Sequence, residues 1–243
     1  MVSAAVQHIE SLLRARKLDG TLAKPELVPA SAATGLTALD EALGGGWRRG
    51  ELSELTGPAS SGRTSVLVAT MAAATRRGEV AALVDSVDRF DPAMAAEAGV
   101  DVSRLLWVRG PSVTTVSDRA GTRTPEASAD AILRRALRAA DLIVRAGGFG
   151  VVVLDVADLP VPTVRRVPAS SWLRLAHANE GRDTVCLLLA ETPTARSPRG
   201  WSVRLAARAR WTGASAQQRQ FNGFDVDVTV TSARHIGAAT LSL

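Results

Sequence analysis

The sequence of 243 residues contains a single cysteine, Cys186, so no disulfide can form within the chain and no cysteine-rich zinc site can exist. The thiol lies in an apolar run and is expected to be a buried structural residue. No apolar run approaches the roughly 18 residues that a membrane span requires. The start of the sequence also lacks the basic and apolar regions of a signal peptide, so we expect a cytoplasmic protein with no membrane partner.

Lysine is nearly absent too, since Lys17 and Lys24 are the only lysines among 29 basic residues. The net charge of +5 is compatible with a polyanionic partner, but an excess of this size also serves solubility. With 46% hydrophobic and 22% charged residues, the chain has the composition of a globular protein that buries a core. Its length allows one large domain or two.

The first 30 residues are predicted to be an N-terminal amphipathic helix and a linker, and residues 31–243 a core domain. Apolar residues recur at helical spacing near the start: Val6, Ile9, Leu12 and Leu13. Pro25 and Pro29 then predict an extended linker over residues 21–33. The apolar stripe of the helix must be buried, either on its own domain or on a partner.

A loop rich in glycine and serine follows the apolar run 51–55 and precedes a helix-like stretch, 66–74. We predict that it holds the phosphates of a nucleotide through its backbone N–H groups. The predicted binding residues are Gly57, Pro58, Ala59, Ser60, Ser61, Gly62, Arg63, Thr64 and Ser65. The spacing matches G-x-x-x-x-G-K-[ST] except at Arg63, whose planar fork is wider than lysine's ammonium. The alternative is a glycine-rich turn before an ordinary helix.

Short apolar runs alternate with helical segments in the rest of the chain. Runs at 80–84 and 151–154 and helical segments at 129–143 and 169–179 predict a parallel sheet covered by helices on both faces, an α/β fold. Ligands of such sheets bind at the carboxyl ends of the strands. Asp155 lies at such an end, and with Thr64 it forms the predicted Mg²⁺ site. The alternative for Asp155 is a turn residue that ends the strand.

The stretch from Thr34 to Pro58, with T-G-x-x-x-L-D-x-x-L-G-G-G ahead of the phosphate loop, resembles the start of the RecA core. Residues 81–92, which end in Asp91-Pro92, are similar to the second strand of that family and its turn. Residues 148–155 are similar to its Walker B strand, and 184–191 to the next core strand. The resemblance implies a RecA-like P-loop core with a mainly parallel sheet, C-terminal antiparallel strands and an N-terminal helix, with ATP and Mg²⁺ as cofactors.

Three positions depart from the RecA-like ATPases that this chain resembles. Where the family has the glutamate that activates water, two residues after Asp85, this chain has Val87, which cannot accept a proton. Asp88 is adjacent, but the next residue of an extended strand points to the other face. Arg63 replaces the lysine, and Glu191 stands where recombinases have a glutamine and would repel a γ-phosphate. We therefore expect no catalytic residue, and weak or no binding of ATP and Mg²⁺.

Within the RecA-like superfamily, a degraded nucleotide site without the recombinase C-terminal domain is most similar to the ImuA family. This resemblance implies a role in the DNA-damage (SOS) response and in translesion synthesis. It also implies an ImuB-type Y-family polymerase homologue, the RecA recombinase and an error-prone DnaE-type polymerase as partners. The alternatives are an active RecA/RadA-like DNA-dependent ATPase of recombination and a SulA-like cell-division inhibitor.

Single-stranded DNA is a further candidate partner. The resemblance places two DNA-binding loops at 159–167 and 192–201, which contain the predicted contacts Arg165, Arg166, Arg196 and Arg199, and Trp201 closes the second loop. The alternative is that both are ordinary solvated loops. Beyond them, alternating apolar and charged residues in 202–211 and 225–230 predict an antiparallel hairpin with arginines opposite aspartates. This pairing would leave Arg196, Arg199 and Arg219 as the arginines free for DNA.

Overall fold

The computed structural model describes residues 30–111, 125–195, 199–213, 215–232 and 235–242. The predicted N-terminal helix, residues 21–29 of its linker and Arg196 lie outside these residues. The helices are α1 Thr37–Ala42, α2 Arg63–Arg76, α3 Pro92–Glu97, α4 Pro125–Ala146, α5 Val161–Arg165 and α6 Ala169–Asn179. The strands are β1 Ser31–Ala32, β2 Trp47–Arg48, β3 Leu52–Thr56, β4 Ala81–Asp85, β5 Leu105–Arg109, β6 Val151–Asp155, β7 Val185–Ala190, β8 Ser202–Thr212, β9 Gln220–Ser232 and β10 His235–Ser242.

Eight strands form one mixed sheet in the order β10-β9-β8-β3-β7-β6-β4-β5. Strands β3 to β8 of this sheet are parallel to one another, whereas β9 is antiparallel to both β8 and β10. The predicted α/β class, with a mainly parallel sheet and C-terminal antiparallel strands, is confirmed.

Each face of the sheet has its own apolar core, because successive strand side chains point to opposite faces. Val151 and Val153 belong to the core beneath α1 and α2. Val152 and Leu154 belong to the core beneath α4 and α6. Helices thus cover both faces, which is why β7 is apolar along its whole length and β4 and β6 are apolar up to their final aspartate.

Arginines and aspartates pair across the β8–β9 hairpin, as the alternation predicts. Arg208 lies 2.9 Å from Asp227, and Arg210 lies 3.0 Å from Asp225. The apolar residues of β9, Val226, Val228 and Val230, are buried on the other face. Arg204 is an exception to the expected neutralisation, since its opposite residue is Thr229 and it has no carboxylate partner among the described residues.

Three further predictions are corrected. The end of the predicted linker contains a strand, because Ser31 and Ala32 pair with β2. The predicted loop at 159–167 contains the helical turn α5, since Pro160 and Pro162 restrict the backbone where a helix begins. The segment 220–223, which lies between the two predicted strands and would close the hairpin, belongs to β9. No helix in the described part of the chain is long and apolar enough to span a membrane.

Candidate nucleotide site

The predicted phosphate loop lies between the end of β3 and the start of α2. Gly62 precedes the helix with φ of +91°, a conformation that residues with a Cβ rarely adopt. A Cβ added at Gly57 would lie 2.5 Å from Ser61 Oγ and 2.6 Å from the carbonyl oxygen of Leu205. The two glycines of the motif are therefore needed for the shape of the loop.

The first turn of α2 has open backbone donors. No side chain caps this helix and its first turn has no acidic residue. Within α2, the amide of Val66 is the first to donate to the loop, at 3.0 Å from the carbonyl oxygen of Gly62. The amides of the three residues before it have no backbone acceptor in the described part of the chain. Thr64 and Ser65 are exposed beside them. Open amides at a helix N-terminus fit a phosphate group.

Arg63, which stands where the motif has lysine, is only 9% exposed. Its Nη1 atom is buried without a hydrogen-bond partner among the described residues, and so is Ser61 Oγ. Buried polar atoms in folded proteins are nearly always paired. These two unpaired groups therefore fit a loop that is completed by a bound anion.

Asp155 lies at the level of the phosphate loop. It is opposite Leu189 of β7, and Leu55 of β3 is opposite the same residue, so Asp155 is two strands away, or about 10 Å, from Leu55. Its Oδ1 accepts a hydrogen bond from the amide of Ala157 at 3.0 Å. Burial raises the pKa of Asp155 to about 6, and the charges of Asp158 and Asp85 add to this shift, while Arg63 opposes it.

The predicted magnesium ligands, Thr64 and Asp155, supply one hydroxyl and one carboxylate. Mg²⁺ keeps so few protein ligands when phosphate oxygens and waters complete its shell. No group of three or more His, Cys, Asp or Glu side chains among the described residues is placed to hold a metal. The donor set thus fits an ion that arrives with a nucleotide rather than a free ion.

The two residues at and beside the expected water-activating position are engaged in core packing and in an ion pair. Val87 is 7% exposed and packs in the core beneath α4 and α6. Asp88 has φ of +58°, and both of its carboxylate oxygens accept hydrogen bonds from Arg109 at 2.8 Å. The hydrogen bond from Arg109 lowers the pKa of Asp88. Glu191 follows β7 directly and is exposed.

Asp85 lies at a strand end, where ligands of such sheets bind, but its carboxylate is buried and hydrogen-bonded within the chain. It is 3% exposed and accepts hydrogen bonds from the amides of Phe90, at 2.8 Å, and Val87, at 3.4 Å. The indole Nε1 of Trp107 donates to it at 3.4 Å. These donors shape the turn after β4 and occupy the oxygens of Asp85.

The predicted DNA contacts are only partly free. Arg165 is exposed and has no ion pair or hydrogen bond with a described side chain, whereas Arg166 pairs with Asp130 at 3.1 Å. Arg199 was expected to be free, but it pairs with Glu51 at 3.2 Å and with Glu180. None of these three ion pairs could be predicted from the sequence, because the partners are remote along the chain.

Trp201 does not offer a stacking surface at the end of the second loop. It is 4% exposed, and the guanidinium carbon of Arg48 lies 4.0 Å from the centre of its ring. A ring covered in this way cannot stack on a base. Trp201 thus lies at the end of the second loop with its ring buried.

Glu54, a carboxylate on β3 that is 5% exposed, has a role for which the sequence contains no signal. Its Oε2 accepts hydrogen bonds from the amides of Thr194 and Ala195 at 2.9 and 2.8 Å. Its Oε1 accepts one from Ser202 Oγ at 2.6 Å. Glu54 thereby fixes both ends of the loop between β7 and β8 next to the phosphate loop.

Comparisons with known proteins point to the same fold. Residues 3–117 match the RecA N-terminal domain. The chain is 37% identical over 130 residues to Protein RecA of Chlorobaculum parvum, which covers 53% of this chain and 32% of that protein. It is 36% identical over 145 residues to Protein RecA of Paenarthrobacter aurescens, which covers 59% of this chain and 35% of that protein.

A shorter match has a higher identity. Protein RecA of Prochlorococcus marinus is 49% identical over 73 residues, which cover 30% of this chain and 20% of that protein. The chain spans about a third of the length of the curated relatives it matches. Together with the sheet order and the phosphate loop, these similarities support a place for this chain in the RecA-like superfamily, with a RecA-like α/β fold.

Proposed function

We propose that this chain is a RecA-like accessory protein of the DNA-damage response and of mutagenic translesion synthesis, similar to the ImuA family. It retains the phosphate loop of a nucleotide-binding protein but not the groups that would hydrolyse ATP. Its proposed partners are an ImuB-type Y-family polymerase homologue, the RecA recombinase and an error-prone DnaE-type polymerase.

The observation that carries this proposal is the contrast between the loop and the catalytic position. Gly57 and Gly62 preserve the loop geometry, while Val87 fills the catalytic position with a side chain that packs in the core. A buried valine neither orients a water nor accepts a proton. Loss of such groups costs several powers of ten in phosphoryl transfer. A RecA-like fold that lacks the groups for ATP hydrolysis supports a role in binding partner proteins.

A direct binding assay tests this role. The purified chain is immobilised and exposed in turn to the ImuB-type homologue, to RecA and to the DnaE-type polymerase. We expect saturable binding to the ImuB-type homologue. Binding to none of the three would contradict the proposal, and binding to the division protein FtsZ instead would favour the SulA-like alternative.

A second candidate function is an active RecA/RadA-like ATPase of recombination. It is favoured by the open amides at the start of α2 and by Asp155 at the end of β6, which fit ATP with Mg²⁺. In this case Arg63 would take the place of lysine at the phosphates. ATP turnover that depends on single-stranded DNA would support this function against the first.

A further inference from the structure

A groove runs between helices α4 and α6 on one face of the sheet. Its wider part has a volume of about 790 Å³ and its narrower part a volume of about 380 Å³. Arg145 of α4 and Arg174 of α6 line both parts, so the two are continuous. Since α6 has 11 residues, or about 16 Å of helix, the groove has room for two to three helical turns of a peptide.

The acidic residues of the groove are already neutralised. Asp141 pairs with Arg145 of the same helix at 3.0 Å, and Asp130 of α4 pairs with Arg166, just beyond α5, at 3.1 Å. Neither aspartate therefore repels an anionic ligand strongly. The charge of the groove is set by its remaining arginines.

Three arginines of the groove have no partner among the residues that the structure describes. Arg134 and Arg138 lie one turn apart on α4, and Arg174 lies across the groove on α6. All three are exposed, and none forms a hydrogen bond or ion pair within the described part of the chain. The groove therefore presents positive charge on both of its sides.

Between these arginines the groove is aliphatic. Leu133, Leu137, Val167 and Pro168 line the wider part, and Leu173, which is 41% exposed, lines the narrower part. No Phe, Trp or Tyr is among the described residues that line either part, and the ring of His177 in the narrower part lies 3.2 Å from the carboxylate of Glu180. Nucleic-acid sites for single strands combine arginines with aromatic rings on which bases stack, so the groove does not have the character of such a site.

We propose that this groove binds an acidic amphipathic helix of a partner protein. Such a helix places apolar side chains at positions i, i+3, i+4 and i+7, which would fill the aliphatic floor. Its aspartates and glutamates, on the flanks, would meet Arg134 and Arg138 on one side and Arg174 on the other. The proposal does not depend on the proposed function, because the groove shares no residue with the phosphate loop.

The test uses a fluorescent peptide of about 14 residues, roughly 21 Å of helix, with leucines at the four apolar positions and glutamates on both flanks. Its anisotropy is titrated with the full chain. We expect saturable binding that Arg138→Glu weakens about tenfold or more, because like charges then face each other. Arg135→Glu is the matched control: Arg135 lies on the same helix but lines a different cleft, beside β5.

Further controls show which side chains of the peptide and of the groove are responsible for binding. A peptide with lysines in place of the glutamates should not bind, and Leu137→Gln should weaken binding, with thermal unfolding showing that each variant folds. Arg138→Lys should retain most of the affinity. Equal loss in Arg135→Glu and Arg138→Glu would overturn the proposal. So would the absence of saturable binding, or displacement of the peptide by oligo(dT), which would assign the groove to nucleic acid.

Discussion

Asp155 and Asp85 are direct neighbours across the β6–β4 pair, each at the carboxyl end of its strand. The donors around Asp85 hold it in place, while Asp155 has one backbone donor and a pKa raised to about 6, mainly by burial. An ionised carboxylate held in this position costs stability. Such a cost is typical of a site that a cation or a donor-rich ligand completes.

The first prediction concerns the stability cost of Asp155. Because its folded-state pKa is raised, the folded state binds more protons than the unfolded state between about pH 4 and 6, and stability falls as the pH rises through this window. We expect Asp155→Asn to increase the free energy of unfolding by about 1–2 kcal/mol at pH 7.5 and to have little effect near pH 4. Urea unfolding at both pH values measures this.

Asp158→Asn is the control for Asp155→Asn, because the side chain of Asp158 is 47% exposed. Its effect should stay within about 0.5 kcal/mol. A loss of stability in Asp155→Asn at pH 7.5 would show that the carboxylate has a stabilising partner in the folded chain. It would contradict the view that the ionised carboxylate of Asp155 costs stability.

The second prediction concerns Glu54, which accepts three hydrogen bonds from the ends of the β7–β8 loop. Glu54→Ala leaves three donors without their acceptor and should lower the free energy of unfolding by about 2–4 kcal/mol. It should also speed proteolysis within this loop. Glu191→Ala, at an exposed position, serves as the control and should change neither property.

The third prediction concerns the arginines of β8. Arg208→Glu should lower the free energy of unfolding by about 0.5–1 kcal/mol, because the ion pair with Asp227 is replaced by repulsion between two carboxylates. Arg204→Glu, on the same strand but opposite Thr229, should cost less. Neither change should remove DNA binding. Arg208→Glu that abolished DNA binding without affecting the melting temperature would show instead that this face is a nucleic-acid surface.

The sequence predicted the elements whose signals are local. Glycine spacing placed the phosphate loop, the helix 169–179 has the predicted bounds, and the alternation of Val226 and Val228 placed β9 in the sheet. Strand β10 had no comparable signal, because it consists mostly of small residues. Among its described side chains, only that of Leu241 is buried.

The side-chain partners of the candidate site were harder to predict, because they depend on contacts between distant parts of the chain. Glu180 forms an ion pair with Arg199, and this contact exists only once α6 lies beside the sheet. Arg48 covers Trp201 across more than half of the chain. A pattern of residue types within one segment contains no information on either contact.

The fourth prediction concerns nucleotide affinity. The backbone of the loop is kept but its cation is a buried guanidinium, so we expect a Kd for ATP weaker than about 0.1 mM. Arg63→Lys, which restores a slim ammonium, should tighten binding by about tenfold. Titration calorimetry measures both. Micromolar affinity in the unaltered chain that Arg63→Ala abolishes would show that the arginine itself binds the phosphates.

The most direct test of the central claim is ATP turnover by the purified chain, with and without single-stranded DNA, beside a RecA recombinase under the same conditions. With Val87 in the core and no base in its place, we predict turnover at least about a thousandfold below the recombinase, and no stimulation by DNA. Arg63→Lys should not restore it, because the base is still missing. Robust DNA-stimulated turnover by the unaltered chain would contradict the account.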